Sequence, residues 1–325
     1  TLIGGTGNDT LIGGDGSDAA SYAGAASGVT VSLASLTAQN TGGAGTDTLS
    51  GFENLTGSAY NDTLSGDGNA NVIDGGAGDD TLVGNGGNDR LDGGAGNDTL
   101  YGGAGDDVIN PGAGSDIVFG GEGVDTLAYS SSGTGVVVSL GYGSNIFYQD
   151  TFGSGLDAIF EIENLTGSDF GDSLTGNAGD NVIDGGAGAD VLSGGAGDDT
   201  LIGGDGIDNL WGGLNSDTFT FNSAAEIGNN PLNRETIHDF DSATDILNFA
   251  FDANSTLAGN QSFNFIDQAD FSAAGQLRFD NGVLYGNTDA NLATAEFELA
   301  LSNVSNTNAN NLNILPRTLS LRSPA

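Results

Sequence analysis

The sequence predicts an all-β protein of tandem, right-handed parallel β-rolls with 18-residue coils, joined by β-rich inserts and closed by a C-terminal β cap. Three observations carry this. Glycine occurs 58 times in 325 residues and arrives in doublets, not at every third position as a collagen helix requires. Aspartate recurs at a nine-residue interval beside leucine, isoleucine or valine, so the acid is patterned rather than run together. Cysteine is absent, which leaves packing, ladder hydrogen bonds or metal to hold the chain together.

Taken in order, residues 1–21 hold a partial roll of two units, Gly4 to Ile12 and Gly13 to Ser21. Residues 22–56 form a β insert, with a period-two strand from Gly28 to Leu33 and one isolated unit from Gly42 to Ser50. Residues 57–128 divide without a gap into eight nonapeptides, among them Gly75-Gly76-Ala77-Gly78-Asp79-Asp80-Thr81-Leu82-Val83, and a period held this long decides the architecture. Residues 129–166 are a second β insert: Gly135 to Leu140 matches the earlier strand, and both inserts end in Glu-Asn-Leu-Thr-Gly-Ser, beginning at Glu53 and Glu163. These segments are expected to continue a roll or join one to the next. Residues 167–220 give six more units, and from 221 to 325 glycine thins and phenylalanine becomes common. Thr236 to Phe240 and Asp245 to Phe249 read as strands of a cap, needed because an open roll exposes an edge and an apolar end. The tail is a possible secretion region. The chain starts inside a repeat without methionine, as expected of a fragment or a processed product.

Each unit divides its labour. Glycines at positions one, two and four permit the left-handed backbone of a tight turn, the apolar eighth residue points inward, and the last three residues form a short strand. Such a strand buries too little alone, so units stack alternately on two sheets, with coils about 4.8 Å apart. The inward series is Leu64, Ile73, Leu82, Leu91, Leu100, Ile109, Val118 and Leu127, then Leu174, Ile183, Leu192, Leu201, Leu210 and Phe219.

Stacking sets the sixth-position aspartates in vertical files. With 44 acidic residues against 5 arginines and a net charge of −39, nucleic acid and anionic membrane are poor partners for this surface. The 37% hydrophobic content and the fixed spacing argue against a disordered acidic tail. Carboxylates roughly 5 Å apart repel, and a hard cation that accepts mixed carboxylate and carbonyl oxygens in a flexible cage resolves this. Calcium fits better than magnesium, which demands a near-octahedral shell. With His238 the sole histidine, zinc and copper lack a ligand set. No stretch is apolar and long enough to span a membrane.

The units match Gly-Gly-x-Gly-x-Asp-x-apolar-x and so resemble the RTX, or hemolysin-type calcium-binding repeat, family. That resemblance implies calcium between turns two units apart, held by aspartate carboxylates and by carbonyls of the glycine turns. Carried over, the carboxylate positions are Asp9, Asp18, Asp47, Asp62, Asp80, Asp89, Asp98, Asp107, Asp116, Asp125, Asp172, Asp190, Asp199, Asp208 and Asp217. The turn positions are Gly75, Gly76, Gly78, Gly93, Gly94, Gly96, Gly102, Gly103, Gly105, Gly185, Gly186, Gly188, Gly194, Gly195 and Gly197. The best sites pair Asp80 with Asp98, Asp89 with Asp107, Asp98 with Asp116, Asp107 with Asp125, Asp190 with Asp208 and Asp199 with Asp217. Weaker sites involve Asp62, Asp172 and the substitutes Asn71 and Asn181, for roughly ten ions in all. The region after the repeats resembles the C-terminal domain of serralysin-type proteases. The tail, ending Arg317 to Ala325, lacks the apolar ending common to type I export signals of such proteins.

Catalysis is not expected. A zinc protease needs His-Glu-x-x-His, whereas His238 stands alone, and without lysine there is no P-loop. Adjacent acids such as Asp79-Asp80 are committed to the file through their second member. The resemblance implies an extracellular, calcium-folded structural, surface-layer or adhesive module, secreted by type I machinery, with self-assembly or a cell-surface partner possible. Its alternative is the C-terminal folding and export module of a larger exoenzyme, such as a protease, lipase or epimerase.

Overall fold

The computed structural model describes residues 1–141, 149–151, 154–251, 263–265, 270–289, 295–304, 312 and 314–315. Most of the possible secretion region lies outside the described residues. The chain divides into two units, Thr1–Ser168 and Asp169–Ala325.

Within the first unit the eighteen-residue coil is explicit in the strand register. Arg90–Asp92 lies parallel between Val72–Asp74 and Val108–Asn110, with Leu91 opposite Ile73 and Ile109. On the other sheet Thr99–Ala104 lies between Thr81–Gly86 and Ile117–Glu122, with Leu100 opposite Leu82 and Val118. Every eighth-position residue from Leu64 to Leu127 is fully buried, as the repeat predicts. In-register parallel pairing stacks like on like along the outside too: Tyr101, Phe119 and Phe160 form a ladder with ring centroids 5.0 and 4.9 Å apart.

The inserts supply rungs to these sheets. Asn54–Thr56 pairs with Ala19–Ser21 on one side and Val72–Asp74 on the other, Thr30–Ser32 pairs with Thr63–Ser65, and Asn164–Thr166 follows Thr126–Ala128. The strands are not uniformly three residues long. Thr81–Gly86, Thr99–Ala104 and Ile117–Glu122 each have six, because the turn glycines of the next unit also pair across coils, as Gly103 does with Gly121.

The second unit repeats the plan. Val182–Asp184, Thr200–Ile202, Thr218–Phe221 and Ile246–Phe249 stack in parallel, and Ser173–Thr175, Val191–Ala196, Asn209–Leu214 and Thr236–Ile237 form the facing sheet. Leu174 to Phe219, the eighth-position series, is fully buried. After Thr236–Ile237 the pairing changes character: Phe297–Leu301 pairs parallel to it and antiparallel to Val283–Asn287, which pairs antiparallel with Gln276–Asp280. Two departures from the glycine pattern explain themselves. Asn85 (φ 80°) and Asn215 (φ 86°) stand at the second and fourth positions of their units in left-handed backbone, the conformation asparagine tolerates best after glycine.

Candidate metal centre

The eighth residue of each unit is anchored in the core, so the sixth, two residues earlier on a strand, is held at the edge of the coil and turned the same way. Asp80, Asp89, Asp98, Asp107, Asp116 and Asp125 are 0–2% exposed. One carboxylate oxygen has a fixed task. Asp98 Oδ1 accepts the backbone N–H of Asp80 at 2.7 Å, and Asp116 Oδ1 accepts that of Asp98 at 2.8 Å. On the other file Asp107 serves Asp89 and Asp125 serves Asp107. In the second unit Asp190 serves Asp172, Asp208 serves Asp190, Asp199 serves Asn181 and Asp217 serves Asp199.

The second oxygen is different. Oδ2 of Asp9, Asp80, Asp89, Asp98, Asp107, Asp116, Asp125, Asp190, Asp199 and Asp208 is buried with no hydrogen-bond partner, a state that costs on the order of 1–3 kcal/mol for each neutral group and more for a charged one. A carbonyl of the next coil faces the same space. A Cβ placed on Gly75 would lie 2.5 Å from Asp80 Oδ2 and 2.7 Å from the carbonyl oxygen of Gly93, and the same oxygen pair bounds Gly84, Gly102, Gly185 and Gly194. The first-position glycine is therefore required because two oxygens converge where a side chain would begin. The second and fourth positions are required for conformation, with Gly76 at φ 96° and Gly78 at φ 122°; Gly94, Gly96, Gly103, Gly105, Gly186, Gly188, Gly195 and Gly197 share this left-handed range.

Electrostatics agree. Burial is the main cause that pushes Asp80, Asp89, Asp125 and Asp208 up to about 6, Asp98, Asp190 and Asp217 up to about 7, and Asp116 up to about 8. Backbone N–H bonds pull the other way, and neighbouring carboxylates add to the rise in each of these groups. Among the described residues no three acidic or histidine side chains converge on one point. A cation between coils would thus take carboxylate oxygen from one or two aspartates and complete its shell with carbonyls, the mixed hard-oxygen set that calcium accepts.

Not every predicted position has this form. Asp47 departs from the expectation. Its Oδ1 accepts Asp9 N–H, and its Oδ2 accepts the hydroxyls of Tyr22 and Thr41, so protein donors fill the place left open elsewhere. Asp62 likewise accepts the N–H of Val29 and both the N–H and hydroxyl of Ser58. Asp9 and Asp18 are half-buried at the N-terminal end, and Asp18 N–H is served by Glu53. The Asn71 amide donates to Glu53 O and accepts from Asp67 N–H.

Among the described residues five acids outside the nonapeptides close or continue the files, Glu53 beneath Asp18 and four more, and only their triplet, acid-x-apolar without glycines, marks them in the sequence. Asp157 accepts Asp116 N–H and the hydroxyls of Tyr129 and Thr151, repeating the Asp47 arrangement. Glu163 serves Asp125, Glu235 serves Asp208 and Asp245 serves Asp217. The His238 ring stacks on Trp211 at 4.0 Å and its Nε2 lies 2.9 Å from Asn209 Oδ1.

The family model of the RTX calcium-binding nonapeptide repeat matches residues 1–20, 50–82, 83–118, 92–127, 166–201 and 193–223. No curated protein sequence matches the chain. Among solved structures, the AlgE6R3 subunit of the mannuronan C5-epimerase from Azotobacter vinelandii is similar at 30% identity, over 48% of this chain and 83% of that one, with a TM-score of 0.32. The extracellular lipase LipA from Serratia marcescens is similar at 20% identity, over 78% of this chain and 40% of that one, with a TM-score of 0.29.

Proposed function

Because this chain belongs to the RTX calcium-binding nonapeptide repeat family, we propose that it is an extracellular structural, surface-layer or adhesive module whose rolls fold when calcium enters the aspartate files. Asp80 with Asp98, Asp89 with Asp107, Asp98 with Asp116, Asp107 with Asp125, Asp190 with Asp208 and Asp199 with Asp217 would hold the ions, together with carbonyls of the glycine turns. Calcium supplies there the positive charge and the oxygen coordination that no protein donor provides. The observation that carries this reading is the row of ten buried aspartate oxygens that, among the described residues, have no hydrogen-bond partner.

The folding logic follows from charge. At the submicromolar calcium of a cytosol the files repel themselves and the chain stays open, a form suited to threading through type I export machinery. In millimolar calcium, binding free energy becomes folding free energy. The absence of cysteine suits that route, since no oxidative step is needed. Circular dichroism during a calcium titration, with magnesium as control and light scattering at saturation, tests this. A cooperative gain of β-structure with calcium alone, with growth in mass at the same point, is expected. A folded chain in excess chelator would overturn calcium-coupled folding. Folding without growth in mass would replace the assembly role by that of a folding and export module of a larger exoenzyme.

A further inference from the structure

We propose that Glu235, outside the nonapeptide repeats, is a calcium ligand, and that with Asp208 it forms a further site binding the coil after the last repeat to the file below it. This rests on the reading that sixth-position carboxylates hold calcium. The strand register places Glu235 in the file: Asn209 pairs with Thr236 and Leu210 with Ile237, so Glu235 stands opposite Asp208 as Asp208 stands opposite Asp190. Glu235 Oε2 accepts the backbone N–H of Asp208 at 3.1 Å, the bond that each Oδ1 makes to the coil before it.

What sets Glu235 apart is its other oxygen. Glu235 is 1% exposed and Asp208 fully buried, and Glu235 Oε1 and Asp208 Oδ2 both lack a partner. The other closing acids are relieved in other ways. Asp157 holds two hydroxyls, Asp245 holds Asp241 N–H and the Thr244 hydroxyl, and Glu163 is half-buried, with solvent in reach. The side-chain neighbour of the Glu235 carboxyl is the Asp208 carboxyl itself, which offers no donor while both are ionised. Its N–H donates to Ile227 O and its carbonyl accepts Ala300 N–H, which pins its backbone between the short helix Ala224–Ile227 and the strand Phe297–Leu301. Two buried carboxylates, each presenting an open oxygen and neither able to turn to water, call for a cation.

Calcium bound by the full chain, counted by equilibrium dialysis and atomic emission, tests this. Glu235→Gln and the apolar Glu235→Leu should each bind one ion fewer than the wild type, and Glu235→Asp, which keeps the carboxylate, should regain it. Asp270→Asn, at an exposed acid outside the files, should leave the count unchanged. A wild-type count in either Glu235→Gln or Glu235→Leu overturns the proposal while leaving the repeat sites standing. No bound calcium in the wild type sinks the underlying reading instead. If neither neutral variant folds at saturating calcium, folding of Glu235→Asp with the wild-type count supports the site, and its failure to fold overturns it.

Discussion

Asp98→Asn should change sign with calcium. Asparagine keeps Oδ1, so the bond from Asp80 N–H survives, and the substitution acts at Oδ2, which lacks a partner. Without calcium, a carboxyl pushed from 3.8 up to about 7 costs the fold on the order of 4 kcal/mol at pH 8, at ~1.4 kcal/mol per pH unit. The new amide N–H₂, buried and unpaired, costs about 2 kcal/mol in return, so the calcium-free variant should be more stable by about 2 kcal/mol. With calcium a hundredfold above the site constants, the two sites that share Asp98 contribute roughly 5 kcal/mol. Their loss outweighs the gain and leaves the variant less stable by about 3 kcal/mol. Urea unfolding followed by circular dichroism reads the calcium arm. Folding induced by trimethylamine N-oxide in chelator reads the other, since the osmolyte favours the buried state. An equal loss of stability in both arms would show Asp98 to be an ordinary hydrogen-bonded core residue and refute the assignment.

Acid should partly replace calcium. The folded-state values of Asp98, Asp190 and Asp217, about 7, and of Asp116, about 8, lie above the unfolded value of 3.8, so their protonation favours the fold. That contribution is complete below pH ~4 and is lost as pH rises through about 6 to 8; circular dichroism in chelator should therefore gain β-signal on going from pH ~8.5 to ~5.5. A flat profile would contradict the burial of these charges. Gly102→Ala should raise the calcium midpoint and destabilise by about 1–3 kcal/mol, because its Cβ would meet Asp107 Oδ2 and the Gly120 carbonyl. Gly68→Ala, where nothing lies within 4 Å, should be neutral or slightly stabilising; equal effects at the two positions would remove the cradle argument.

The roll was legible because its determinants are local and repeated. Leu82, Leu91 and Leu100 declare the inward face, and Gly76 and Gly78 declare the turn, each within nine residues. The aspartate files could be read from the same register. What could not be read is how each file closes. Tyr22 and Thr41 reach Asp47 from 25 and 6 residues away, and Tyr129 and Thr151 reach Asp157 from 28 and 6. The sixth-position pattern marks Asp47 and Asp98 alike, although one carboxylate is filled by hydroxyls and the other is open. Glu235 escaped notice for the complementary reason: its unit has lost the glycines that advertise the repeat and kept the acid and Ile237. Register, which only the paired strands reveal, restores it to the file.

The hydrogen bond from each aspartate N–H to the carboxylate of the coil after it gives the stack a direction. Asp80 leans on Asp98, and Asp98 on Asp116, never the reverse. A coil laid down on the N-terminal side of an existing stack finds its acceptor waiting, whereas one laid down on the C-terminal side supplies an acceptor and leaves its own N–H unanswered. Trimming the roll from its front leaves every remaining donor in that chain of bonds answered. Trimming it from the back strands one, which makes the rear of the stack its foundation.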